Sequence, residues 1–261
     1  MTVEELSEMG NIPIYDADRK LVLMWSAKAG CTTAIKWFFQ MMGLLDAALY
    51  YHPWIHVFRN QVYYKSQGFK KNVADILKGD YTFIKVVRDP FPRAVSSYVH
   101  VMKHKHEHKG LRKAIAKRKA NDSYSFREFV KYLQITGVEH CEIHHRQQIH
   151  PLELKGLVEV DYLVKVESFE EDIRNVEKSL GIPASDFAKL SKSSHHTKRI
   201  QSPLGESVAD IRFYIDKKAR RPELPVYEMF YTQEIVDAVY DVYRKDFEAY
   251  NYARSLALPA S

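Results

Sequence analysis

Residues 26–33 combine side chains that suit an anionic group. Lys28, Gly30, Thr32 and Thr33 follow a short apolar run at residues 21–25. If that run is a strand and a helix begins after it, the backbone N–H groups of the turn converge where the helix dipole also favours anions. Gly30 permits close backbone approach, the threonines add hydroxyl donors, and Lys28 adds a mobile positive charge. The segment therefore predicts a phosphate-binding turn, with an ordinary strand-to-helix turn as the alternative.

Residues 81–97 form a second segment in which an apolar run is followed by side chains that suit an anionic group. Arg88 comes at the end of an apolar run at residues 81–87, and Ser96 and Ser97 follow on a predicted helix. A guanidinium suits a phosphate because its planar fork donates two parallel hydrogen bonds. Ligands of open parallel sheets bind at the carboxyl ends of the strands. Two anion sites at two such ends indicate a ligand with two separated phosphates.

The first turn is not a Walker loop. GxxxxGK[ST] requires a second glycine and a lysine at the start of the helix, whereas Lys28 precedes Gly30 by two residues. A P-loop kinase or nucleotide phosphotransferase stays open as an alternative that is supported by the general architecture alone.

Strands and helices alternate along the chain and position these turns. We predict strands at 21–25, 81–87 and 161–166, and helices at 34–42, 94–102, 125–135, 168–180 and 232–247. Ser125 with Glu128 forms a capping-box pattern, and Gly181 marks a helix end. This alternation predicts an α/β fold with a parallel sheet. At 261 residues, a single domain over 1–261 is expected.

Both turns resemble known motifs. Residues 28–33, Lys-Ala-Gly-Cys-Thr-Thr, resemble the 5′-phosphosulfate loop of sulfotransferases that use 3′-phosphoadenosine 5′-phosphosulfate (PAPS). Residues 88–98, RDPFPRAVSSY, are similar to the 3′-phosphate motif RDPxxRxxSxY of that family. The resemblance covers most of residues 20–252 and is closest to carbohydrate sulfotransferases of the chondroitin and HNK-1 type. It implies a P-loop-like three-layer fold with a central, mainly parallel sheet flanked by helices.

The resemblance also implies roles for individual residues. It implies that Lys28 contacts the bridging oxygen and the departing phosphate. It implies that Arg88 and Ser96 hold the 3′-phosphate, with Lys198 or Arg199 closing over it; a solvated charge run is the alternative for the last two. The 5′-phosphate would be held by the remainder of the first turn: Ala29, Gly30, Cys31, Thr32 and Thr33. PAPS would be the donor and 3′,5′-adenosine bisphosphate the product, with no metal.

A hydroxyl acceptor needs a general base. In relatives with a carboxylate on the first helix, that acid falls where this chain has Lys36, so we expect a histidine instead. His56 matches the histidine of the carbohydrate branch better than His52, which is the second choice. A structural histidine is the alternative for either.

Further polar residues fall in regions that approach the active site in relatives. His144 and Arg146 are candidates for acceptor binding, with a packed loop as the alternative. His100 and His104 have the spacing of metal ligands on a helix, but neighbouring lysines repel cations and no metal site is expected. Cys31, beside Lys28 at a helix start, is expected to have an acidified thiol, without a nucleophilic role.

Composition limits the class of protein. Apolar residues make up 46% and charged residues 28% of the chain, which excludes a mainly disordered protein. The formal charge of +6 is concentrated in residues 103–119, with eight Lys or Arg and one acid. That segment is expected to attract an anionic acceptor or a membrane surface; a solvated loop and a nucleic-acid-binding segment are the alternatives.

The expected acceptor is a glycan, a glycolipid or a small hydroxylated metabolite. Two cysteines cannot form a disulfide framework, and no signal peptide or membrane-spanning run is recognisable. Eukaryotic relatives usually carry a membrane anchor, so this pattern indicates a bacterial-type cytoplasmic enzyme, in contact at most with the membrane surface.

Overall fold

The computed structural model describes residues 5–6, 10–78, 80–104, 108–115, 123–139, 141–190, 198–200, 207–213 and 223–258. Contacts divide the chain into two compact units. The first unit comprises Met1–Arg88 and Gln148–Ser193, and the second comprises Asp89–Gln147 and Ser194–Ser261. The single domain expected over residues 1–261 stays a prediction.

The first unit contains a four-stranded sheet and the second a two-stranded sheet. The described strands are β1 (Ile14–Asp16), β2 (Leu21–Trp25), β3 (Thr82–Val87), β4 (Tyr162–Lys165), β5 (Lys198–Ile200) and β6 (Glu223–Pro225). The large sheet has the order β1-β2-β3-β4. β2, β3 and β4 run parallel, while β1 is antiparallel to β2. The short strands β5 and β6 pair in parallel.

Helices connect most of these strands. The described α-helices are α1 (Cys31–Met41), α2 (Leu45–Tyr51), α3 (Ile55–Phe58), α4 (Gln67–Asn72), α5 (Pro90–Lys103), α6 (His108–Ile115), α7 (Phe126–Thr136), α8 (Pro151–Leu154), α9 (Phe169–Leu180), α10 (Phe187–Leu190), α11 (Gln233–Val242) and α12 (Arg244–Ala249). A π-helical turn at Arg59–Tyr63 continues α3. Short 3₁₀ turns lie at Val73–Leu77, Val166–Ser168 and Tyr227–Phe230.

The core of the first unit lies on both faces of its sheet. Leu23 and Trp25 of β2 pack with α1 and α9 on one face. Val22 and Met24 pack with α4 and α8 on the other. A strand buried on both faces must be apolar throughout, which explains the continuous apolar run of β2. The predicted fold class, a central mainly parallel sheet flanked by helices, is confirmed.

The helices of the second unit pack around an aromatic core. α5, α7 and α11 contribute to one buried cluster that also contains Phe230 and Tyr231. Tyr98 of α5 meets Phe126 of α7 edge to face, with ring centroids 5.6 Å apart. The Tyr231 hydroxyl donates to the Phe91 carbonyl at 2.8 Å. These contacts fix α5, the helix that follows β3 in the chain.

Several predicted helix boundaries are confirmed. Ser125 and Glu128 form the capping box of α7, and Gly181 ends α9 in the left-handed conformation. The predicted helix 232–247 is wrong as one element, because it breaks at Tyr243 into α11 and α12. Tyr243 is buried, and its hydroxyl donates to the His145 carbonyl at 2.8 Å.

Candidate active site

The first candidate loop lies between β2 and α1. The Ala29 N–H donates to the Ser26 carbonyl at 3.3 Å, which closes the turn. Lys28 has a left-handed φ of 66°, a conformation that costs a non-glycine residue about 1 kcal/mol. α1 then begins at Cys31 with no side-chain cap. The first N–H groups of α1 and its positive dipole end are therefore directed at the loop, as an anion site requires.

Gly30 is required at its position for two reasons. Its φ is 66°, in the region that favours glycine. A Cβ added there would lie 3.0 Å from Val166 Cγ2, a contact that forces the valine to shift. The tight approach of the loop to the segment after β4 depends on this glycine.

The second candidate loop begins at Arg88, directly after β3. Trp25 and Val86 are register partners in the parallel ladder, so β2 and β3 end at the same edge of the sheet. The Arg88 guanidinium donates from Nη1 to the Lys28 carbonyl at 3.3 Å. Arg88, the first residue of the second motif, therefore meets the first loop within the first unit.

His56 lies against the first loop. Its Nε2 is 3.1 Å from Thr32 Oγ1 and 3.9 Å from Cys31 Sγ. Its ring also packs against Trp54, with centroids 5.3 Å apart. His52 Nδ1 instead accepts the Trp54 N–H at 2.9 Å, a local turn contact. Of the two candidate bases, His56 is the one that contacts Thr32 and Cys31 of the first loop.

The electrostatics of the first loop differ from the sequence expectation at Cys31. Burial raises the pKa of the Cys31 thiol, and the nearby charges of Lys28 and Arg59 oppose this shift without reversing it. The expectation of an acidified thiol is therefore wrong, because desolvation of the thiolate outweighs both cations. Burial also lowers the pKa of Lys36 on α1.

Two residues near these loops were missed by sequence reasoning. Arg59 stacks its guanidinium over the Trp25 ring at 5.3 Å, at the end of β2. Gln148 is 1% exposed and hydrogen-bonds the backbone of Arg88. Arg59 lies one turn after His56, a spacing that could have drawn attention to it. No local pattern marks Gln148, which is far from Arg88 in sequence.

The remaining predicted residues belong to the second unit. Ser96 is half-buried on α5. The imidazole of His144 lies 2.8 Å from the Glu142 carboxylate and stacks on His100 at 3.8 Å between centroids. Arg146 donates from Nε to the Cys141 carbonyl at 2.9 Å. Both acceptor candidates thus have partners within the second unit, and their role in acceptor binding stays a prediction.

Arg93, the second arginine of the RDPxxR pattern, is fully buried in the second unit. Its guanidinium donates to the Arg146 carbonyl and lies 5.5 Å from the Tyr243 ring centroid. These contacts give Arg93 a role in packing the unit. Lys198 and Arg199 belong to β5, but their side chains lie outside the part of the chain that the structure describes.

Within the described residues, no group of three His, Cys, Asp or Glu side chains is arranged to hold a metal ion. His100 of α5 and His104, which follows the end of that helix, have ring centroids 4.3 Å apart. None of the described helices is long and apolar enough to cross a membrane.

Comparison with known proteins identifies the family. A family model described as "Sulfotransferase family" matches residues 14–253. The chain belongs to the sulfotransferase family. No curated protein and no solved structure gave a significant match. A sulfotransferase is a transferase that moves a sulfuryl group, so the general activity predicted from the two loops is confirmed at the level of the family.

Membership of the sulfotransferase family fits the arrangement of the first unit. The match covers both loops and the segment that contains His56. A cation, a helix N-terminus and hydroxyl groups at one edge of the sheet have the chemistry to bind an anionic donor.

Proposed function

We propose that this sulfotransferase transfers a sulfuryl group from PAPS to an acceptor hydroxyl on a carbohydrate or glycolipid. The observation that carries the proposal is the hydrogen bond from Arg88 to the Lys28 carbonyl. It joins the loop that resembles a 5′-phosphosulfate site to the loop that resembles a 3′-phosphate site. PAPS carries both groups, whereas ATP has phosphates on its 5′ side alone.

In this proposal the first loop holds the 5′-phosphosulfate. The N–H groups at the start of α1 and the hydroxyls of Thr32 and Thr33 bind the 5′-phosphate, together with the backbone of Ala29, Gly30 and Cys31. Lys28 neutralises the charge that develops on the bridging oxygen as the phosphate departs. Arg88 binds the 3′-phosphate. The parts assigned to Ser96, Lys198 and Arg199 in holding that phosphate rest on the motif resemblance.

His56 is the proposed general base. As the acceptor oxygen attacks sulfur, the bond from sulfur to the bridging oxygen breaks, and 3′,5′-adenosine bisphosphate leaves with its electron pair. The acceptor proton moves to a neutral His56 ring nitrogen. The transferred group carries dispersed charge, so positioning and electrostatic stabilisation dominate the catalysis. Support for His56 is its 3.1 Å approach to Thr32 of the first loop; His52 stays the second candidate.

An exposed aromatic surface supports a sugar acceptor. Trp54 is 50% exposed, and its ring contacts His56. Tyr51 is 51% exposed and Tyr50 is 96% exposed in the preceding helix α2. Aromatic faces of this kind pack against the apolar face of a sugar ring while its hydroxyls stay hydrated. His144 and Arg146 are further proposed acceptor contacts, on the motif resemblance.

Ligand-dependent thermal stability tests the donor. The melting temperature is measured with 3′,5′-adenosine bisphosphate, ATP and AMP for the wild type and for Arg88→Ala. We expect the bisphosphate to stabilise the wild type most, and Arg88→Ala to lose this preference. Arg254→Ala, an exposed arginine in the second unit, is the matched control and should keep it. Equal stabilisation of the wild type by all three nucleotides contradicts a PAPS donor.

Incorporation of labelled sulfate from PAPS tests the acceptor. Glycans, glycolipids and small hydroxylated metabolites are supplied in parallel to the wild type and to Trp54→Ala. We expect a sugar-containing acceptor to be labelled and its KM to rise in Trp54→Ala. Labelling confined to acceptors without sugar argues against the carbohydrate assignment.

A further inference from the structure

The side-chain amide of Gln148 holds the backbone of Arg88. Gln148 Nε2 donates to the Arg88 carbonyl at 2.7 Å, and its Oε1 accepts the Arg88 N–H at 2.9 Å. The last register pair of the β3–β4 ladder is Val87 with Lys165, so Arg88 lies one residue beyond it. The side-chain amide therefore supplies the two backbone hydrogen bonds that a neighbouring strand would otherwise make with Arg88.

The same amide reaches the first loop. Ser26 Oγ donates to Gln148 Oε1 at 3.3 Å, and both side chains are buried. Ser26 is also the acceptor of the turn that contains Lys28. One side chain thus contacts the start of the first loop and the start of the second.

The backbone of Gln148 is held in place by a hydrogen bond of its own. Lys85 Nζ donates to the Gln148 carbonyl at 2.8 Å and to Glu153 Oε1 at 2.7 Å. Lys85 is fully buried on β3. Glu153 Oε1 also accepts the His150 N–H at 2.7 Å in the capping box of α8. A buried charged pair with its hydrogen bonds satisfied is rigid, so the amide has a defined position.

We propose that Gln148 is a positioning residue for 3′-phosphate recognition, acting through Arg88 and through the first loop; this rests on the proposed PAPS donor. The Arg88 guanidinium has a defined position at the 3′-phosphate only if the backbone of Arg88 has a defined orientation. Because Gln148 satisfies both the N–H and the carbonyl of Arg88, it fixes that orientation. Loss of the amide leaves the cation present and misplaces it.

The experiment compares two ligands that differ by the 3′-phosphate. Dissociation constants for 3′,5′-adenosine bisphosphate and for AMP are measured by calorimetry on the wild type and on Gln148→Leu. We expect the bisphosphate to bind about tenfold more weakly to the variant, as loss of buried hydrogen bonds predicts, while AMP binding changes little. A purely structural role would weaken both ligands equally. Gln147→Leu, the same substitution one residue earlier, is the matched control and should keep the wild-type ratio.

A double substitution tests whether Gln148 acts through Arg88. In Arg88→Ala, the additional change Gln148→Leu should not reduce the ratio of AMP to bisphosphate dissociation constants further, because the group being positioned is gone. If the two changes multiply independently, Gln148 does not act through Arg88 and the inference is wrong.

The variant Gln148→Glu and a measurement of Arg88 amide exchange without ligand test the same role of Gln148. Gln148→Glu preserves the shape of the side chain, but at pH 8 a carboxylate oxygen replaces the N–H donor to the Arg88 carbonyl. This variant should lose the preference for the bisphosphate. It replaces Gln148→Leu in the experiment if that variant fails to fold. Amide exchange at Arg88, followed by NMR without ligand, should be faster in Gln148→Leu, which loses the acceptor of the Arg88 N–H. Wild-type Arg88 exchange in a folded Gln148→Leu, or wild-type selectivity in either folded variant, overturns the inference. A wild type that binds both nucleotides equally contradicts the PAPS proposal instead, and the exchange rate then still decides whether Gln148 orders Arg88.

Discussion

The two candidate bases, His56 and His52, differ in the atoms that their ring nitrogens contact. His56 presents Nε2 to the hydroxyl of Thr32 at 3.1 Å. His52 uses Nδ1 to accept the Trp54 N–H. His56 stays the first candidate because it contacts the loop proposed to bind the donor, whereas the described contact of His52 is to its own turn. The choice between the two histidines is therefore a choice between two hydrogen-bond environments.

Replacing the base should affect turnover more than binding. We expect His56→Ala to lower kcat by about 10²–10⁴, since this is the usual contribution of a general base. The dissociation constant for 3′,5′-adenosine bisphosphate should stay near the wild-type value. Steady-state kinetics with PAPS and calorimetry with the bisphosphate measure the two quantities.

His52→Ala is the comparison for this prediction. We expect its kcat to fall far less than that of His56→Ala. The opposite ranking would assign the base to His52. A large loss of bisphosphate affinity in His56→Ala would show that this residue binds the donor rather than activating the acceptor.

At the scale of elements, hydrophobic periodicity and helix caps were enough to predict the main strands and helices. β2, β3 and β4 lie within one residue of their predicted bounds. Strand β1 was missed because three residues, Ile14–Asp16, carry too little pattern. The break at Tyr243 was missed because the helical pattern runs through it; its buried hydroxyl is hydrogen-bonded to the carbonyl of His145, which is distant in sequence.

The sequence indicated some residues of the candidate site and missed others. Lys28, Gly30 and Arg88 could be identified because each lies beside a strand end that periodicity reveals. Gln148 could not, because its function follows from two hydrogen bonds to Arg88 and one to Ser26 across the fold. Local sequence therefore indicates the candidate charge-binding groups, whereas the groups that orient them become visible only in three dimensions.

His150, the N-cap residue of α8, is a group whose titration should affect stability. His150 caps the helix by accepting the Leu152 N–H at Nδ1, and its Nε2 lies 3.2 Å from the Asn11 carbonyl. Burial and the nearby charge of Lys85 lower the pKa of His150 to about 3, against the opposing effect of the Asn11 carbonyl. Between pH 3 and the ordinary value near 6.5, the unfolded chain therefore binds a proton that the folded chain does not.

Stability should consequently be complete above about pH 6.5 and decline as the pH falls, by up to about 1.4 kcal/mol per pH unit from this group. His150→Asn keeps a capping residue and removes the titration. Urea unfolding at pH 7, 6 and 5 should show a smaller loss of stability for His150→Asn than for the wild type. Parallel pH profiles for the two proteins would rule out His150 as a source of the acid sensitivity.

At the scale of the whole molecule, the positive charge is unevenly distributed. Residues 103–119 carry the excess positive charge, and the rest of the chain is nearly neutral. The described part of this segment includes α6, whose Leu111 is buried in the core of the second unit. Burial lowers the pKa of Lys103. Lys28 and Arg88, the proposed donor-binding cations, belong to the first unit. Donor affinity and the high net charge are thus expected to be separable.

Neutralising the basic segment should change acceptor kinetics alone. The combined substitution Lys109→Gln, Arg112→Gln and Lys113→Gln should raise the KM of an anionic acceptor by about tenfold at low salt, because a concentrated field raises local acceptor concentration. The difference should shrink in high salt. Bisphosphate affinity should not change.

Three exposed lysines of the first unit provide the matched control. Lys155→Gln, Lys178→Gln and Lys189→Gln remove the same net charge elsewhere. We expect this triple variant to keep the wild-type KM. Equal effects from both triple variants would attribute the result to net charge rather than to the basic segment, and a loss of bisphosphate affinity would contradict the separation of roles.

The hydrogen-bonded pair of Arg88 and Gln148 also closes a loop in the path of the chain. The chain leaves the first unit after Arg88 and returns to it at Gln148, and the amide joins these two residues directly. An insertion whose ends are joined can change in length at a small entropic penalty to its host. The stretch between them contains His144 and Arg146, the proposed acceptor contacts. Length changes in the part of this stretch between Ser96, a proposed 3′-phosphate contact, and His144 could therefore alter the acceptor, while Lys28 and Arg88 of the first unit are inherited unchanged.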